Sequence, residues 1–180
     1  MFAHDTQAGL TAAAALVNTA ARGRELLPDE AALAAFLDAN DYSGRRDLDA
    51  AELAEVRALR PELRALWTET DVDRVAAVVN GLLDRAAARP FLSDHDNWPW
   101  HLHLTPSDAP LAHRIAAEVA MAFADLIRIE ALDRLAVCAA PDCDAVLVDM
   151  TRNRSRRFCD TGNCGNREHV KAYRARRAGA

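Results

Sequence analysis

Glycine and proline are scarce in this chain, at seven each in 180 residues, and aromatic residues make up only 6%. A collagen-like or low-complexity chain is thereby excluded, and helix is favoured over strand-rich architecture. Apolar runs are short too: none approaches the roughly 18 residues that a membrane span requires. The Ala-rich stretch GLTAAAALVNTAA lacks the leading Lys or Arg of a secretory signal, because His4 and Asp5 precede it while Arg22 and Arg24 follow it. The expectation is a cytoplasmic protein with no membrane partner. Chemistry-bearing patterns are equally sparse. There is no Gly-rich phosphate loop and no spacing that sets a nucleophile against a base, so an enzyme is not expected.

What is present is 51% apolar and 27% charged residues with a formal charge of -5, the composition of a globular domain. That charge is unevenly spread. Residues 1–150 carry 13 Arg against 25 Asp and Glu, whereas residues 151–180 carry nine basic residues against Asp160 and Glu168. The two balances, -12 and +7, describe an acidic body with a basic tip, a pattern that suits nucleic-acid contact.

Alanine richness predicts a helix over residues 5–24, ending near Arg22-Gly23, and periodicity predicts helices over PDEAALAAFLDAN, over DAAELAEVRALR and its continuation, and over DVDRVAAVVNGLLDRAAAR. Asp49 and Glu52 have capping-box-like spacing, and Pro61 should kink or restart the third helix. Val72, Val75, Val79 and Leu82 form the stripe of the fourth. The segment PFLSDHDNWPWHLHLTPSDAP reads as loop with one short strand from Trp100 to Leu104. Ser107 or Asp108 should cap the long helix that follows. After it, AVLVDM reads as a strand, RRFC as its return strand, and NREHVKAYRARR as a basic helix. The fold class expected is mainly α with a small β-sheet, spanning 1–135, followed by a small finger over 136–180.

All four cysteines, Cys138, Cys143, Cys159 and Cys164, fall in that second segment, as C-x4-C, fifteen residues, then C-x4-C. Each pair can clamp one ion, and four thiolates complete the tetrahedral shell of zinc, which makes the site structural. A disulfide framework would need an oxidising compartment, and a redox dithiol would call for C-x-x-C beside a βαβ unit. An iron-sulfur cluster typically uses tighter spacing. A piece of about 40 residues buries too little apolar surface to fold unaided, so the metal must supply folding free energy. Knuckle, hairpin, and a helix that opens on the last cysteine make the order of a treble-clef finger.

Here a resemblance becomes specific. CGNR at 164–167, with CAAPDC, LVDMTRNRSRRFC and a basic terminal helix, resembles the CGNR zinc-finger family. ALVNT at 15–19 and WHLHLTP ahead of the last long helix of the first segment resemble the ABATE domain that accompanies this finger. Asp160 and Phe158 stand where such fingers tend to carry Ser and Trp. The resemblance implies a stress-induced transcription regulator with the finger as DNA binder.

If DNA is the partner, Arg152, Arg154, Arg156 and Arg157 would meet phosphates from the hairpin. Arg167, Lys171, Arg174, Arg176 and Arg177 would extend the patch along the helix, with 167, 171 and 174 on one face. Arg167 and Asn166 have a competing role, bracing the knuckle. The alternative is a solvated or docked helix, with the finger acting as a protein-interaction or dimerisation module. In the first segment, Asn18, Trp98, Trp100, His101 and His103 form a candidate ligand pocket, against the plainer reading that they satisfy backbone and fill core. The candidate partners are therefore DNA, a small molecule and a second copy of the chain.

Overall fold

Alanine and glycine let two helices approach closely. In the computed structural model, which describes residues 2–94 and 100–178, α1 (His4–Asn18) packs on a later helix through Gly9. A Cβ at Gly9 would lie 3.1 Å from the Ala122 Cβ and 3.3 Å from the Glu118 carbonyl oxygen, so only a hydrogen fits without movement. The chain leaves α1 sooner than the alanine richness of residues 5–24 predicts. It turns at Thr19 into a short 3-10 segment, Ala21–Gly23, in which Arg22 is left-handed (φ 61°).

Next come α2 (Glu30–Ala39), α3 (Ala50–Thr68) and α4 (Val72–Arg85). Their starts are set by Asp29, Asp49 and Asp71, whose carboxylates accept from the backbone N–H of Ala32, Glu52 and Asp73. The Glu52 carboxylate reaches back to the Leu48 N–H. Contrary to the sequence expectation, α3 runs unbroken through Pro61. Proline leaves the Arg57 carbonyl without its helical N–H, and the Arg60 Nε–H donates to that carbonyl instead (3.3 Å). Val72 also departs from the expected stripe: at 47% exposed it sits at the start of α4, outside the buried row of Val75, Val79 and Leu82.

A two-stranded antiparallel sheet follows, β1 (Phe91–Ser93) with β2 (His101–His103). β2 falls within the strand read from Trp100 to Leu104, while β1 was hidden in sequence that reads as loop. The long helix α5 (Leu111–Arg128) starts after Pro110, not through a Ser107 or Asp108 cap; no side chain caps it. Pro110 provides the pre-set φ, and the His113 and Arg114 N–H groups donate to its carbonyl. α5 is the centre of the core. Phe123 is fully buried and meets the Trp67 ring edge-on, with centroids 5.0 Å apart.

β3 (Leu135–Val137) and β4 (Val146–Val148) form the second antiparallel pair, and α6 (Cys164–Ala178) ends the described chain. The return strand expected at RRFC is absent; the partner of β4 lies before the first cysteine pair instead. The hairpin wraps the Cys138–Cys143 knuckle, and Val146 and Val148 join α1, α3 and α5 in one hydrophobic cluster. No helix among the described residues is long and apolar enough to cross a membrane.

Candidate metal centre and nucleic-acid interface

The metal centre is assembled from both ends of the segment that follows α5. Cys138 leaves β3 with its N–H donating to the Ala145 carbonyl, and the Cys143 N–H closes a turn onto Ala140. Cys159 follows the 149–158 loop, and Cys164 opens α6. That loop is organised by Asp149, whose carboxylate accepts from the Thr151 N–H and hydroxyl and from the Arg156 N–H. Against the effect of burial, these donors hold its pKa below the usual carboxylate range.

All four sulfurs are buried, free of disulfides and within 4.8 Å of one another. Cys143 and Cys159 sulfurs are 3.6 Å apart, and those of Cys159 and Cys164 3.7 Å. Two sulfurs bound at about 2.3 Å to one tetrahedral ion would be about 3.8 Å apart, against about 2.05 Å in a disulfide. The donor set therefore fits zinc. Without a cation the cluster resists ionisation: burial, then its thiol neighbours, push Cys164 up to about 12. Burial also raises Cys143, whereas bonds from Cys143, Gly162 and Cys164 overcome burial to lower Cys159. A divalent ion is what permits four thiolates here.

Close packing continues outside the cysteines. A Cβ at Gly162 would fall 3.1 Å from the Cys164 sulfur and 2.5 Å from an Arg22 guanidinium nitrogen. Arg167 is tied to the knuckle through an ion pair with Asp142, and its Nε is buried without a partner among the described residues. Burial opposes its charge, but the hydrogen bond and charge of Asp142 hold its pKa above the ordinary value. It offsets part of the negative charge of a four-thiolate site. Arg167→Ala should accordingly lower zinc affinity by about 10-fold or more, measured by competition with a chromophoric chelator; an unchanged affinity would free Arg167 for another role.

The remaining basic residues divide into two groups. Arg154 pairs with Asp133, Arg156 with Asp160, and Lys171 with Glu168. Arg152, Arg157, Arg174 and Arg176 form no ion pair among the described residues, and Arg177 lies over the Tyr173 ring, 5.9 Å from its centroid. Residues 169–177 are exposed throughout and contain no acid, so the outer part of α6 carries a net positive charge, borne mainly by Arg174, Arg176 and Arg177.

Of the expected pocket residues, His101 and His103 come together, their Nε2 atoms 2.9 Å apart. They line a cavity of about 750 Å³ between α1, the loop after α2, β2 and α5. Trp100 is 68% exposed and outside the lining, and Trp98 lies outside the described residues. Asn18 does not face the cavity either. Its amide donates to the Val146 carbonyl (2.8 Å) and accepts from the Val146 N–H (2.7 Å), completing the open edge of β4. Sequence reading missed the residues that form the cavity's polar floor, Thr6, Tyr42, Glu118 and Asp125. Glu118 carried a signal: it is a charged residue inside the apolar face of IAAEVAMAF.

A chain in which a four-cysteine cluster joins a knuckle to a helix is a zinc-finger protein. The comparisons with known proteins agree, since residues 134–177 match the CGNR zinc finger. Residues 10–130 match the ABATE family, described as "Putative stress-induced transcription regulator", and the chain belongs to that family. Neither match is to an enzyme family. No curated protein matches the chain. The four cysteines hold one structural zinc.

Proposed function

We propose that the protein is a transcription regulator that contacts DNA through the basic outer face of a treble-clef finger, and that its helical domain takes a small-molecule ligand. The observation that carries the DNA reading is the exposed, acid-free run at 169–177 with Lys171, Arg174, Arg176 and Arg177. An exposed helix end this rich in arginine, with no acid to neutralise it, is suited to a polyanion. Arginine supplies forked donors to phosphate or guanine. Arg152 and Arg157 extend the patch from the preceding loop. Four reduced thiols fit the reducing cytoplasm. The docking-module alternative draws on one contact between the finger's basic residues and the acids of the helical domain, Arg154 with Asp133.

The test is a salt titration of binding to random double-stranded DNA. Replacing Arg174, Arg176 and Arg177 together by Ala should weaken binding about 10-fold or more near physiological salt. The slope of log affinity against log salt should fall by up to about 2.7, three released counterions at about 0.9 each. Equal affinity and slope in the triple variant would leave the finger as an interaction module.

A further inference from the structure

The cavity beside α5 has an unbalanced lining. Five carboxylates, those of Asp5, Asp38, Asp41, Glu118 and Asp125, face it against two arginines and the paired rings of His101 and His103, so carboxylates outnumber the basic side chains five to four. Arg46 is paired with Asp38 and Arg128 with Asp125, so the excess charge is negative. Glu118 matters most. The cation one turn before it, Arg114, is buried, but it directs its donors to the carbonyls of Ala109, Ser43 and Arg45. Glu118 makes no hydrogen bond or ion pair among the described residues. An isolated carboxylate in such a place is costly. Burial, only partly offset by Arg114, raises its pKa to about 7. Such a group is retained at a stability cost, the mark of a binding position more than of a structural one.

The rest of the lining restricts the ligand further. Ala8, Ala12, Leu104 and Met121 give apolar walls, and the volume of about 750 Å³ suits a molecule of ordinary metabolite size. A bare divalent cation is disfavoured: the four cysteines are the sole set of three or more clustered metal-ligand side chains among the described residues.

We propose that this cavity binds an organic cation, a protonated amine on an apolar body, with the Glu118 carboxylate as its counter-charge. The proposal rests on the small-molecule half of the functional reading and not on the DNA half.

Three probes that share a phenylethyl body separate the charge states: 2-phenylethylamine, 2-phenylethanol and 3-phenylpropionate, each titrated into the zinc-loaded full chain at pH 8 by calorimetry and ligand-observed NMR. The amine should bind at least about 10-fold more tightly than the alcohol, and the carboxylate should not bind. Glu118→Gln should weaken amine binding about 10-fold. The same variant should raise the Tm by several degrees at pH 8, where wild-type Glu118 is largely ionised, showing that the fold is intact. Binding of the carboxylate or alcohol as tight as that of the amine, or amine binding indifferent to Glu118→Gln, would overturn the cation assignment and leave a sensor of another ligand class. Failure of all three probes at millimolar concentration would overturn the site itself. The DNA reading is measured separately and is untouched by either result.

Discussion

Stripping the zinc should unfold the finger and loosen the helical body with it. The buried sulfurs have no apolar core of their own to fall back on: the cluster around them consists of Ala21, Ala140, Ala145 and the cysteines, with Phe158 packed against it. Zinc-finger peptides draw roughly 10 kcal/mol or more from the metal, far above what these few small side chains supply. Metal-free protein should lose the helical signal of α6, whose first residue is the ligand Cys164. Because Val146 and Val148 are core residues, the main unfolding transition should also move to lower temperature. Cys164→Ser should reproduce this, and lowering the pH acts in the same direction, since protons compete for each thiolate. Zinc quantification with circular dichroism reads the outcome. About one zinc per chain is expected, and a metal-free preparation with an unchanged melting curve would refute the assignment.

The second large effect is expected at Asn18, which is 7% exposed. Asn18→Ala removes both partners of the Val146 backbone and leaves a buried N–H and a buried carbonyl unpaired. At about 1–3 kcal/mol for each orphaned group, a loss of about 3 kcal/mol in urea denaturation follows. Asn18→Asp should fare no better. It can still accept from the N–H, but it cannot donate to the carbonyl and brings a charge into the core. A loss under about 1 kcal/mol would mean that water replaces the amide.

Both predictions concern features that were unequally legible in the sequence. The cysteine spacing carried its own chemistry, and helical periodicity located α2 to α5 because apolar stripes recur within a single element. The aspartate start of α3 was an equally local signal. β1 and β3 were not legible. Strands of three residues have too few alternations to show a period, and LAV reads as the tail of the preceding helix. Asn18 stood out as polar among apolar neighbours, yet its partner lies 128 residues away, and no local pattern encodes that pairing. Pro61 misled because proline's cost in a helix depends on whether a nearby donor can serve the freed carbonyl, as Arg60 does.

The finger hairpin is held to the helices by more than packing. The Trp67 indole N–H donates to the Leu147 carbonyl, Arg64 to the Asp144 carbonyl, and the Asp144 carboxylate accepts from the Arg22 N–H. Two family models divide the chain at about residue 130, but the hydrophobic cluster does not. The finger is consequently not portable. A fragment cut out at residue 134 would keep every zinc ligand while exposing Val146 and Val148 and losing the Asn18, Arg64 and Trp67 tethers. Transplanted onto another protein, it would need a new surface to lean on.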